Sequence, residues 1–297
     1  MYIYEFYRLH FVPVCLSRCQ KSTRQIYDQV IRLWVDEIGD SELSEISPAD
    51  CELFVTASLK RVGPFTVAKY CRCLNAIFLR MSKPGWRNRK AFGFIDDAPY
   101  CEPPKLQKAL PKQILDRDIL KLIESLSDIK EFPKSVDEKL RPLWWRSLVL
   151  FASTTAVRRT VIFGLTWEAV DVSNKFFFIS PELDKVGHAR IKYLHPNLSR
   201  LLLKIRTEDS RLFAWDHGFV AFYREWGKAC ENAGIKLTLH DLKRYASQVA
   251  IRSGADIATL KEFCDHSNIN TTLQHYARGD VESLIEKLQL PSEVWND

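Results

Sequence analysis

Apolar residues recur at helical spacing through the first third of the chain. Across residues 23–38, Ile26, Val30, Leu33 and Trp34 fall on one face. Ser47 followed by Pro48 marks a helix start. The hydroxyl can cap a free N–H there, and proline is tolerated in the first turn, where its missing N–H has no intrahelical partner to lose. Gly63-Pro64 breaks the pattern, and residues 65–81 resume it with Val67, Tyr70, Leu74, Ile77 and Phe78 on one side. Periodicity then vanishes over residues 83–108, which hold Pro84, Gly85, Gly93, Pro99, Pro103 and Pro104. The organisation this predicts is a helical domain over 1–90, a linker over 91–109 and a second domain over 110–297. In the second domain, helices are expected over 116–126 and over 143–155, the latter carrying Trp144, Trp145, Leu148, Leu150 and Phe151. Residues 176–180 and 189–194 are β-rich runs around a polar turn with Lys185 and Gly187, which predicts a hairpin. Residues 238–253 carry a buried stripe of Leu242, Tyr245, Ala246, Val249 and Ala250, stopped by Gly254. The fold class expected is mainly α with a small β-sheet.

With 46% hydrophobic residues in 297, the chain can bury real cores and is not a disordered polymer. A net charge of +6 tilts the expectation toward an anionic partner such as nucleic acid. The eight cysteines, Cys15, Cys19, Cys51, Cys71, Cys73, Cys101, Cys230 and Cys264, show no paired zinc spacing and read as idle thiols in a reducing compartment. The first residues lack a basic end followed by an apolar run, and no apolar stretch is long enough to span a bilayer. The expectation is a cytoplasmic protein without membrane attachment.

The polar residues that carry chemistry are spread along the second domain. His240 and Lys243, three apart on one helix, project from one side, where two proton-bearing groups suit an anionic oxygen. Taken alone, the pair reads more simply as a capping histidine beside a solvated lysine. Arg158 stands at the edge of an apolar stretch and needs an anionic partner, either a ligand or a structural carboxylate such as Glu168 or Asp171. Lys185 would ordinarily be a solvated turn residue. His266 lies ten residues before Tyr276, close enough along the chain to share a site. Tyr276 alone would more often be a packing residue.

In this order the residues resemble the catalytic set of the tyrosine recombinases, the phage-type integrases. Thr-Ala-Val-Arg-Arg followed by Gly-Leu-Thr-Trp-Glu-Ala-Val-Asp resembles the family's first arginine box, usually Thr-Gly-Leu-Arg. Residues 239–247 resemble its His-x-x-Arg box, and Asp-His-Ser-Asn-Ile-Asn-Thr-Thr-Leu-Gln-His-Tyr its Gly-His box and nucleophile. Lys185 matches the lysine that the family carries in a hairpin turn of its sheet. The resemblance implies a helical core-binding (SAM-like) domain before a mixed α/β catalytic domain. It further implies site-specific recombination of double-stranded DNA through a 3′-phosphotyrosyl bond, with no metal or other cofactor. Tyr276 would be the nucleophile and Lys185 the proton donor to the leaving oxygen. Arg158, Lys243, His240 and His266 would surround the phosphate. A homotetramer on two DNA sites and accessory DNA-bending proteins follow as expected partners.

Three residues depart from the family pattern: Ala156 and Asp265 each replace a glycine, and Lys243 replaces the second arginine. Asp265 could orient the His266 imidazole or repel the phosphate. Lysine lacks the planar fork of arginine, so either Lys243 serves, or Arg244 replaces it, or the chain binds DNA with weakened catalysis. A type IB topoisomerase would use the same chemistry without partner subunits. A metal hydrolase on His240, His266 and His275 lacks a His-Glu-x-x-His helix. Lys83, Arg87, Arg89 and Lys90 form a basic cluster without an acidic sequence neighbour, and with Lys69, Arg72 and Arg80 on the preceding helix they suit phosphate contacts. Residues 281–290, with Val281, Leu284, Ile285 and Leu288 on one stripe, predict a last helix that exchanges between subunits.

Overall fold

The structure, a computed structural model, describes residues 1–85, 90–107, 112–185 and 187–265. The chain divides into two units, Met1–Ala109 and Leu110–Asp297. The first is helical: α1 (Ile3–Phe6), a π-helical continuation (Tyr7–Leu16), α2 (Lys21–Glu37), α3 (Pro48–Leu59) and α4 (Pro64–Met81). Ser47 caps α3 as its sequence predicts. Its Oγ accepts from the Asp50 N–H at 3.3 Å, and the Asp50 carboxylate accepts from the Ser47 N–H at 2.8 Å. The Trp34 ring lies 5.4 Å from Phe54 and 5.3 Å from Phe78, which ties α2, α3 and α4 into one core.

Within the stretch read as a linker, residues 92–102 fold back on this helical unit. The Phe92 N–H donates to the Arg80 carbonyl and the Phe94 N–H to Met81, both at 2.8 Å. The Asn75 amide brackets Cys101, donating to its carbonyl at 2.9 Å and accepting from its N–H at 2.8 Å. Cys101 is fully buried, and Phe92, Ile95 and Ala98 pack on the same core. These apolar positions follow neither period, so the sequence shows loop chemistry but hides the anchoring. The reversal also brings Asp96 to Lys83, at 2.6 Å, so the basic cluster does have an acidic neighbour in space. Both side chains are solvated, and such a pair adds little to stability.

In the second unit α5 (Asp116–Ser125), α6 (Arg141–Thr155) and α7 (Arg159–Gly164) precede the strands β1 (Val170–Asp171), β2 (Phe176–Ile179) and β3 (Arg190–Tyr193). The helices α8 (Pro196–Lys204), α9 (Gly218–Asn232), α10 (Leu239–Arg252) and α11 (Ile257–Phe263) follow. The protein is mainly α, and the described residues hold a small antiparallel sheet of order β1-β2-β3. The β2–β3 hairpin is the one the sequence predicts; the two-residue β1 is too short for a pattern to reveal. Trp144, Trp145 and Phe151 of α6 sit at the centre of the core among Phe177, Phe213, Trp215 and Phe222. Each such ring contributes about 1.5–3 kcal/mol by leaving water.

The hairpin register pairs Phe177 with Lys192 and Ile179 with Arg190. Phe177, Ile179 and Lys192 are buried, while Phe178, Ile191 and Tyr193 are exposed. A lysine on the buried face of a sheet is costly unless it is paired.

Helix α10 is capped by Thr238, whose Oγ1 accepts from the Asp241 N–H at 3.2 Å while the Asp241 carboxylate accepts from the Thr238 N–H at 2.9 Å. The beginning of the unit runs alongside. Gln248 accepts from the Ile114 N–H at 3.2 Å and donates to the Lys112 carbonyl at 3.1 Å. Asp116 takes Tyr245 Oη at 2.8 Å and Arg252 at 2.7 Å. The helix ends at Gly254, whose φ of +85° closes its last turn. Gly254→Ala is expected to lower stability by about 1 kcal/mol, read from the urea midpoint at unchanged slope. Among the described residues no helix is long and apolar enough to cross a membrane.

Candidate active site

Four cations from three elements meet at the end of α11. After α6, Ala156 adopts a left-handed conformation, φ +53°, and the turn delivers Arg158 as the residue that opens α7. Arg158 reaches two partners: Nη1 stands 3.7 Å from Asp184 Oδ1, and Nη2 donates to the Asp265 carbonyl at 3.4 Å. Its neighbour Arg159 turns away to α9, donating to Tyr223 Oη at 3.0 Å and lying over the Phe219 ring.

From α10, Lys243 donates to the Cys264 carbonyl at 2.7 Å. From β3, Lys192 donates to the Phe263 carbonyl and stands 3.0 Å from Asp265 Oδ2. Three successive carbonyls at the end of α11 are thus each held by a different cation, which suits the partial negative charge of a helix C-terminus. Arg190, also from β3, completes the set between two carboxylates, 3.4 Å from Asp184 and 3.6 Å from Asp265.

Ala156, Ala246, Leu260 and Cys264 pack under this cluster, and Ser247 Oγ meets Cys264 Sγ at 3.0 Å. Small residues here let the ends of α6 and α11 approach α10. Asp265 also has a left-handed backbone, φ +56°. Both positions at which the chain departs from a family glycine therefore keep the conformation glycine favours, which costs other residues about 1–2 kcal/mol and aspartate less than most.

Burial sets the electrostatics. Lys243 is 5% exposed. Desolvation, with Arg158 adding to it, pulls its pKa from the ordinary lysine value down to about 8. Desolvation also lowers Lys192, with Asp265 opposing. His240 lies at the exposed edge of α10; partial desolvation, then Arg244 and Lys243, hold its imidazole below the usual value. Four cations against Asp184 and Asp265 leave two positive charges in excess among the described residues, an arrangement suited to an anionic ligand.

A model of the phage integrase family matches residues 124–282, more than half of the chain. The chain belongs to the phage integrase family. Its tyrosine recombinases catalyse DNA cleavage and rejoining, the activity that the sequence resemblance implies. The chain is 28% identical to the tyrosine recombinase XerA of Pyrococcus furiosus over 211 residues, 66% of this chain and 68% of that one. It is 25% identical to XerC of Thermodesulfovibrio yellowstonii over 262 residues, 82% of each. In fold it resembles the Tn1549 transposon integrase solved with transposon right end DNA, with a TM-score of 0.70 over 97% of this chain and 98% of that one, at 14% identity.

Within this integrase-family framework the structure brings together Arg158, Lys243 and, at the rim, His240. Lys185 is exposed in the connection between β2 and β3. His266, Tyr276, Arg87 and Arg89 lie outside the described residues, as does the expected tail helix. Arg244 is half-exposed and held 3.2 Å from Asp241. Taken alone, the His240–Lys243 pair suggested a solvated lysine, whereas Lys243 is buried. The sequence offered Glu168 or Asp171 to Arg158, whereas the carboxylate is Asp184. The Asp265 carboxylate takes Lys192 and Arg190. Lys192 and Arg190 escaped the sequence reading. The one available signal was their alternation with Ile191 and Tyr193, which puts two cations on the inward face. Lys69, Lys83 and Lys90 are exposed on the first unit, and Arg72 donates back to the Ala68 carbonyl at 3.2 Å.

Proposed function

We propose that this chain is a site-specific recombinase in which Tyr276 attacks a DNA phosphodiester, forming a 3′-phosphotyrosyl bond and releasing a 5′-hydroxyl. The observation that carries the residue assignment is the placement of Arg158 and Lys243 on adjacent carbonyls, Asp265 and Cys264, immediately before the segment that bears His266 and Tyr276. Both cations neutralise charge growing on the non-bridging oxygens. Lys243 fills the second arginine's role in preference to Arg244, because Lys243 points into the cluster and Arg244 is engaged by Asp241. Lys185, exposed beyond β2, protonates the leaving 5′-oxygen. His240 and His266 hold the phosphate and assist proton transfer at the tyrosine. A 5′-hydroxyl of a second strand then attacks the phosphotyrosine and restores the DNA. The linkage conserves the energy of the broken bond, so the cycle is complete without nucleotide hydrolysis.

The partner is double-stranded DNA, in keeping with the net charge of +6 and the exposed lysines of the first unit. The assembly proposed is a homotetramer on two sites in the cytoplasm, joined by accessory DNA-bending proteins and by exchange of the tail over residues 281–290.

A nicked DNA substrate spanning the ends of the encoding element, incubated without divalent metal and resolved in denaturing detergent, tests the reaction. Wild type is expected to give a covalent protein–DNA band. Tyr276→Phe should shift the same DNA on a native gel and give no such band. Specific binding by wild type with no covalent band would instead favour a DNA-binding relative that has lost catalysis.

A further inference from the structure

The Asp265 carboxylate is 5% exposed and has a cation on either side, Lys192 at 3.0 Å and Arg190 at 3.6 Å, both from β3. Its Oδ1 makes no hydrogen bond among the described residues, so charge more than hydrogen-bond geometry holds the Arg190 side of the group. The same residue's carbonyl receives Arg158, and the preceding carbonyl receives Lys243. A buried ammonium beside a guanidinium is unfavourable unless negative charge offsets it.

We infer that Asp265 is a positioning residue for Lys243: anchored to β3 by Lys192 and Arg190, it fixes the end of α11 under the Lys243 ammonium and supplies the negative charge that lets this second cation sit beside Arg158. A glycine at this place, as in the usual family pattern, could supply the turn but not the charge. That charge matters more for a lysine than for an arginine: an arginine stays protonated without help, whereas a buried lysine depends on its surroundings. The groups facing Lys243 are Arg158 from the start of α7, Lys192 from β3, and Cys264 and Asp265 from the end of α11. Arg158 and Lys192 disfavour its charge; Asp265 and Cys264 favour it.

The inference rests on Lys243 serving the reaction proposed above, yet its test is separable from that reaction. In the full chain, the Lys243 side-chain methylene signal, assigned by its loss in Lys243→Arg, is followed by NMR through a pH titration. Removing the carboxylate in Asp265→Asn is expected to move the Lys243 transition to lower pH by about 1 unit. Removing the competing cation in Lys192→Met is expected to move it to higher pH. General damage to the site would not give shifts of opposite sign. If Asp265→Asn fails to fold, Asp265→Gly removes the same charge and keeps the left-handed turn. Transitions that stay put, or move together, overturn the inference. The alkaline limb of single-turnover cleavage should follow the NMR shifts. A wild type that cleaves no DNA would overturn the reaction, while the NMR titration would still decide whether Asp265 supports the Lys243 charge.

Discussion

Replacing Arg158 with alanine is expected to slow DNA cleavage by about 10²–10³-fold, the usual effect of removing one preorganised donor from a developing oxyanion. Binding should change little, because many dispersed phosphate contacts set affinity and this one acts on the reacting phosphate. The guanidinium makes two contacts with separate nitrogens, to Asp184 and to the Asp265 carbonyl, so its plane is fixed before any ligand arrives. Arg158→Lys keeps the charge but lacks the planar fork that spans these two partners, and should recover part of the rate. Single-turnover cleavage of a nicked substrate, with a gel shift on the same DNA, separates the two effects. Cleavage by Arg158→Ala at the wild-type rate would remove Arg158 from the proposed mechanism.

The second large effect concerns Lys243 and runs in opposite directions for activity and stability. Lys243→Met should abolish most cleavage, since a buried cation is lost. It should also stabilise the fold at neutral pH by about 1–3 kcal/mol, because an ammonium whose pKa falls from the ordinary value to about 8 penalises folding by roughly 1.4 kcal/mol per unit, less the bond to Cys264. The sign follows from proton counts. Between about pH 8 and pH 10 the folded chain has released this proton and the unfolded chain still binds it, so the lysine's penalty fades as pH rises. The gain from methionine should therefore be full below pH 8 and disappear near pH 10. Lys243→Arg should retain cleavage and lose the alkaline fall in rate near pH 8 that wild type is expected to show. Urea midpoints at pH 7 and pH 10, with rate profiles for the three proteins, give the comparison. A Lys243→Met variant less stable than wild type at pH 7 would show that the Cys264 bond outweighs the desolvation.

Local rules carried much of the fold into the sequence. The cap at Ser47, the stop at Gly254 and the hairpin around Lys185 and Gly187 depend on near neighbours, and near neighbours are what a sequence displays. The folding back of residues 92–102 was hidden because Asn75 and Cys101, 26 residues apart, meet only in three dimensions. The site divides in the same way. Arg158, His240 and Lys243 stand in recognisable strings, and their order made them candidates. Whether Lys243 is solvated or buried depends on α6 and α11 closing over α10, which helical periodicity cannot report, because a lysine on the packed side looks the same as one on the wet side. Lys192 and Arg190 carry no motif. Their meaning comes from Asp265, which is more than seventy residues away and belongs to no pattern they share.

The three carbonyls of Phe263, Cys264 and Asp265 are made after nearly nine-tenths of the chain has been synthesised. Until they emerge, Arg158 and Lys243 lack the adjacent carbonyls that hold them. A chain still attached to the ribosome, or broken before α11, therefore lacks the three carbonyls on which these cations converge. The cation cluster is thereby expected to be among the last parts of the second unit to take its final form.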